Sequence, residues 1–109
     1  MINKNTIKEA AKRLAEKFSP DRIILFGSHA RGTADKHSDV DLLVICQLKK
    51  DRKKLMFEMD MALWGMEMAK DIVILTPEEF ERDKHIHGTI ARPAWKEGKV
   101  IYEHKRTTH

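Results

Sequence analysis

The chain has 109 residues, 41% hydrophobic and 35% charged, with a mean hydropathy of −0.53; this suits one domain, residues 1–109, with one core, and excludes a disordered tail or a membrane span. Its 21 basic and 17 acidic residues leave a net charge of +4, split evenly on either side of Cys46, so no basic arm or acidic tail calls for a polynucleotide. One cysteine excludes an internal disulfide framework and a Cys-rich zinc site, and the stretch Met1–Asn5 leads into charged sequence without an apolar signal core, so a cytoplasmic location is expected.

The first predicted element is a helix over residues 6–18. Ile7, Ala10, Ala11, Leu14, Ala15 and Phe18 recur at spacings of three and four, and Thr6 and Glu9 have capping-box spacing. Ser19-Pro20-Asp21 ends it. Ile23–Phe26 is a short apolar run read as a buried strand, followed by the turn Gly27-Ser28-His29-Ala30-Arg31-Gly32 with about one helical turn inside it. Thr33–Ser38 is a polar loop, and Asp39–Cys46 is a second strand dense in Val, Leu and Ile. The run Lys49-Lys50-Asp51-Arg52-Lys53-Lys54 is read as a solvated helix start in preference to an RNA contact.

From Asp51 the pattern is helical, with Leu55, Met59, Ala62, Leu63 and Met66 on one stripe and an end near Gly65. The five methionines between Met56 and Met68, with Phe57 and Trp64, overfill one helical face. Part of them belongs to the core, and the remainder suits an adaptable apolar patch for another subunit. Asp71–Leu75 is a third strand. Thr76-Pro77-Glu78-Glu79 is a strong helix start, a further short helix follows Pro93 and stops at Gly98, and Val100-Ile101-Tyr102 is a last edge strand. His85 and His87 have the wrong spacing for one helical face and are read as non-metal. Cys46 is read as a small buried hydrophobe.

Three carboxylates stand where charge is costly. Asp39 and Asp41 alternate with Val40 and Leu42 at the head of an apolar strand, which puts them on one face about 7 Å apart. Two such carboxylates repel unless a cation lies between them or one stays protonated. Asp71 opens the third strand; if that strand lies beside the second, the three converge into a hard-oxygen site suited to Mg²⁺. Gly27-Ser28, at the exit of the first strand, offers close backbone approach, first-turn amides and a hydroxyl to an anion. Taken singly, Gly-Ser is ordinarily a turn and Asp-x-Asp a solvated strand start. The ordered combination points to metal-assisted phosphoryl or nucleotidyl transfer.

The segment Ile24-Leu25-Phe26-Gly27-Ser28-His29-Ala30-Arg31-Gly32, with Ser38-Asp39-Val40-Asp41-Leu42-Leu43-Val44 after it, resembles the signature of the DNA polymerase β-type nucleotidyltransferase superfamily. Gly88-Thr89 and the segment Trp95–Tyr102 extend the likeness to the branch of minimal nucleotidyltransferases, known as MNT proteins. That resemblance implies an α/β (α+β) fold, a minimal polymerase-β-like palm whose small mixed sheet carries helices on one face. It implies Asp39, Asp41 and Asp71 as the metal-binding and catalytic carboxylates, with Asp71 also helping to activate the acceptor hydroxyl. Gly27 and Ser28 would hold the β- and γ-phosphates of the nucleotide. Arg31 would lie near the phosphates or serve a structural ion pair, and His29 is read as a surface histidine in preference to a phosphate contact.

The function so implied is Mg²⁺-dependent transfer of AMP from ATP to a hydroxyl of a partner protein. The chain would act as the antitoxin of a toxin–antitoxin pair with an all-helical HEPN-type partner. A homo-oligomer is also open, a membrane is not expected, and nucleotide addition to RNA ranks last. The alternative from another class is a non-catalytic module that binds nucleotide or partner and neutralises a helical partner by contact.

Overall fold

The structure is a computed structural model and describes residues 4–104. Helix α1 spans Lys4–Phe18, strand β1 Arg22–Phe26, the short helix α2 Ser28–Arg31, and strand β2 Val40–Ile45. Helix α3 (Arg52–Ala62), strand β3 (Lys70–Leu75), helices α4 (Pro77–Asp83) and α5 (Ala91–Glu97), and strand β4 (Lys99–Glu103) follow. The sheet order is β3-β2-β1-β4. β1 pairs antiparallel with both β2 and β4, whereas β2 and β3 run parallel. Parallel neighbours need a crossover, and α3 supplies it.

Most predicted elements fall where the periodicity puts them, with two shifts. α1 is already helical at Lys4, so Thr6 lies inside the helix and is not its cap. α5 begins at Ala91, two residues before Pro93, which therefore sits in the first turn where its missing N–H costs nothing. α3 is capped by Asp51, whose carboxylate accepts from the amides of Lys53 and Lys54. The basic run around Asp51 is used locally: Lys50 pairs with Glu58 at 2.8 Å and Arg52 with Glu79 at 2.9 Å.

The layering departs from the expected one-faced sheet. Ile23, Leu25, Val40, Leu42, Val44, Ile72 and Ile74 pack under α1 and α3. Ile24, Phe26, Leu43 and Ile45 pack on the opposite face, against Phe80 of α4 and Ala91 and Ala94 of α5. Helices thus cover both faces. The cause lies in β1 and β2, whose uninterrupted apolar runs are buried on both sides and require two covers. No helix among the described residues is long and apolar enough to cross a membrane.

Candidate active site

The strand register brings the three acidic positions to one end of the sheet. Asp41 is the partner of Phe26 on β1 and of Asp71 on β3. Hydrogen-bonded strands lie about 4.8 Å apart, so Asp41 and Asp71 are immediate neighbours. They also share a face. Ile72 and Ile74 point to the α1–α3 side and Leu43 and Ile45 to the α4–α5 side, so strand alternation turns Asp41 and Asp71 toward α4 and α5. Asp39 stands one residue ahead of β2, exposed, as is Asp71, while Asp41 is half-buried.

Gly27 follows Phe26 directly and so lies against Asp41. Its φ of 75° is in the region that side chains disfavour, and a Cβ built on it would overlap the Asp41 carboxylate. Two independent constraints therefore select glycine here. In α2 the amides of Ala30 and Arg31 turn back to the Gly27 carbonyl, both at 3.1 Å. The first-turn amides of Ser28 and His29 have no acceptor within the helix and remain available to an anion.

The electrostatics agree with convergence. Burial pushes the Asp41 carboxyl above its ordinary value; the charges of Asp71 and then Asp39 push it further, while His29 and Arg31 draw it back. Arg31 reaches Glu97 of α5 at 3.5 Å, a half-exposed pair of the kind worth about 1 kcal/mol or less. The ion pair weighed for Arg31 in the sequence is thus present, and it is weak enough for a phosphate to compete with.

Among the described residues, no three His, Cys, Asp or Glu side chains are arranged as they stand to hold a metal ion. None of Asp39, Asp41 and Asp71 enters an ion pair there. The donor set nevertheless suits Mg²⁺: all oxygen, mutually repulsive, and not neutralised by lysine or arginine contacts. Such an ion needs only one or two carboxylates and fills its shell with water and phosphate. A cleft of about 630 Å³ lies between Thr6, residues 36–38 and residues 67–69; Asp39, Asp41 and Asp71 are not among its lining residues.

Other expectations resolve as follows. His29 is partly buried, with Nε2 3.2 Å from the Ser38 carbonyl. Its role escaped the sequence because nine residues separate it from Ser38. His85 meets Trp95 edge-on at 4.5 Å between ring centroids. Cys46 is buried, which pushes its thiol up. Met59 and Met68 lie in the core, whereas Phe57, Met61 and Trp64 are 65%, 52% and 77% exposed.

The mixed four-stranded sheet, with a glycine turn facing carboxylates at its end, is the architecture of a polymerase-β-like nucleotidyltransferase. The chain belongs to the nucleotidyltransferase domain family, whose model matches residues 7–107. Three proteins of Methanocaldococcus jannaschii, each named "putative protein adenylyltransferase", are similar to it. One is 53% identical over 49 residues, which is 43% of this chain and 33% of that protein. A second is 51% identical over 41 residues, 36% of this chain and 41% of that protein. The third is 29% identical over 104 residues, 94% of this chain and all of that protein. The match therefore spans well under half the length of the first two and the full length of the third.

Solved structures share the fold. A "putative nucleotidyltransferase" of Sulfolobus solfataricus superposes with a TM-score of 0.63 at 20% identity, covering 91% of this chain and 78% of that one. A mutant of the toxin–antitoxin complex MntA–HpeT gives 0.65 at 20% identity, over 95% of this chain and 76% of that one. A toxin–antitoxin complex with AMP-PNP gives 0.59 at 23% identity, over the same shares.

Proposed function

We propose that this nucleotidyltransferase transfers AMP from Mg²⁺-ATP to a hydroxyl of a partner protein, as the antitoxin of a toxin–antitoxin pair with an all-helical HEPN-type partner. The observation that carries the chemistry is the convergence of Asp41, Asp71 and Asp39 at one sheet end against Gly27. The choice of a protein acceptor is supported by the names of the three similar proteins and by the toxin–antitoxin assemblies that share the fold.

In this reading Gly27 and Ser28 receive the β- and γ-phosphates, which depart as pyrophosphate. Arg31 exchanges its weak contact with Glu97 for phosphate. Asp39 and Asp41, with Asp71 beside them, hold the Mg²⁺. When bound, Mg²⁺ offsets the phosphate charge and eases ionisation of the acceptor hydroxyl. Asp71 takes the hydroxyl proton as that oxygen bonds to the α-phosphorus and the bond to pyrophosphate breaks. The amides of Ser28 and His29 act without rearrangement, because α2 already fixes them.

A second reading is favoured by the α3 stripe. Phe57 and Met61 stand one turn apart on α3, and Trp64 is exposed in the turn that follows the helix; aromatic residues and methionine are enriched at interfaces. Here the chain neutralises its partner by contact alone. The test is to incubate the chain with ATP, Mg²⁺ and the product of the adjacent gene, then weigh the partner by intact mass. Addition of one AMP, lost with Asp39→Ala plus Asp41→Ala, is the expected result. Neutralisation without added mass, undiminished in that double variant, supports the contact reading; AMP appearing on RNA instead contradicts both.

A further inference from the structure

Helix α2 and the turn ahead of β2 are joined by one side chain whose role neither the sequence signature nor the reaction assigns. The turn closes on itself. The Asp35 carboxylate accepts from the His37 amide at 2.8 Å and from Ser38 Oγ at 3.3 Å, while Ser38 Oγ accepts from the Asp35 amide at 3.0 Å. The Ser38 amide donates to the Asp35 carbonyl at 3.1 Å. These bonds make the turn a closed unit. One end is held by the Thr33 amide on the Ser28 carbonyl at 3.0 Å, and the other by the Val40 amide on the Ala69 carbonyl at 2.8 Å.

His29 spans the gap between. Its Nε2 lies 3.2 Å from the Ser38 carbonyl, which can only accept, so Nε2 carries the hydrogen. The residue after Ser38 is Asp39, and the residue after that is Val40. Asp39 is therefore clamped on both sides, through Ser38 by His29 and through Val40 by β3. Without the imidazole, the residues just ahead of Asp39 keep only the backbone tie at Thr33, five residues away from Ser38, while the β3 side stays fixed.

We propose that His29 is a positioning residue that holds the Asp39-bearing segment in register with the phosphate-binding turn, so that metal and triphosphate are presented together. The proposal rests on the nucleotide-transfer reading for its purpose, but the clamp itself is open to separate measurement. Groups that orient a metal ligand from outside its coordination sphere are commonly worth a factor of ten or more in metal affinity.

The test compares wild type with His29→Ala and His29→Gln, the latter placing an amide donor near the reach of Nε2. Binding of α,β-methylene ATP, which cannot transfer, is titrated with Mg²⁺, and the Ser38 and Asp39 amide resonances are recorded. His29→Ala is expected to raise the Mg²⁺ half-saturation about tenfold and move both resonances. His29→Gln is expected to restore both readouts. Unchanged Mg²⁺ dependence in a folded His29→Ala, or His29→Gln no better than His29→Ala, overturns the proposal. If wild type shows no Mg²⁺-dependent binding, the transfer reading fails instead. The resonances then decide the clamp, and unmoved signals in His29→Ala overturn it.

Discussion

At the scale of single residues, the candidate site stores repulsion. Asp41 is half-buried beside two like charges, so its carboxyl sits above the ordinary range. A raised acid binds more protons folded than unfolded, and its contribution to stability therefore falls as pH rises through the raised value. Asp41→Asn is expected to stabilise the ligand-free protein at neutral pH while lowering transfer at least about a hundredfold. Its advantage in Tm over wild type should shrink as pH falls through the raised value, because protonation then relieves the wild type too. Thermal melts of both proteins across pH 3–8, beside a transfer assay, check the direction; a destabilised Asp41→Asn contradicts the repulsion.

Gly27 carries the opposite expectation. Gly27→Ala meets an unfavourable φ, of order 1–3 kcal/mol, and presses on the Asp41 carboxylate. Both stability and nucleotide affinity should fall, by denaturant melts and titration. The neighbourhood of Gly27 and Asp41 was legible in the ordered combination of an apolar strand, Gly-Ser and Asp-x-Asp, since either pair alone is ordinary. The His29 tie was not, because a hydrogen bond to a carbonyl nine residues away leaves no trace in periodicity.

Among the elements, local signals were the most readable. The Thr76 cap is complete: its hydroxyl accepts from the Glu79 amide at 3.1 Å, and Glu79 accepts from the Thr76 amide at 2.8 Å. Arg52 at the start of α3 also reaches both Glu79 oxygens at 2.9 Å, joining the starts of two helices. The Arg52 contact, then the Thr76 amide, hold Glu79 below its ordinary value. A lowered acid gives stability that is present above the unfolded pKa of 4.5 and lost as pH falls through the folded value. Thr76→Ala is expected to cost about 1 kcal/mol with transfer unchanged, and Glu79→Gln to flatten the acid limb of the stability curve. Loss of activity in Thr76→Ala would place α4 closer to the chemistry than the fold does.

Which faces of the sheet are covered was harder to foresee. Leu42–Ile45 runs apolar without alternation, the mark of burial on both sides, yet the second cover comes from α4 and α5, whose contribution is only Phe80 and two alanines. Small residues at Ala91 and Ala94 give no amphipathic signal while allowing α5 to lie close on β1. Phe80→Ala should accordingly cost about 3–5 kcal/mol, most of the anchoring of that layer, as a denaturant melt would show.

For the whole molecule, charge and apolar surface divide the labour. The net +4 is spread along the chain, and much of the conspicuous 49–54 run is engaged in a helix cap and ion pairs. Ile86, Ile90, Trp95 and Val100 are exposed elsewhere, while Phe57 and Met61 of α3, with Trp64 in the turn after it, are exposed on the α3 side of the sheet, opposite the face to which Asp41 and Asp71 turn. A partner seated there leaves the carboxylates open. Replacing Phe57 and Trp64 together by serine should change stability by about 0.5 kcal/mol or less and abolish association with the partner in size-exclusion chromatography. A second copy as the occupant is revealed instead by a dimer of the chain alone that the same change dissociates.

The central claim is that the sheet end formed by Gly27, Ser28, Asp39, Asp41 and Asp71 transfers a nucleotide and not a phosphate. Parallel reactions with ATP labelled at the α- or the γ-phosphate, in Mg²⁺ with the partner protein, test it most directly. The account predicts label on the partner from α-labelled ATP alone, absent in Asp39→Ala plus Asp41→Ala. Label from γ-labelled ATP, or α-label that persists in the double variant, contradicts it.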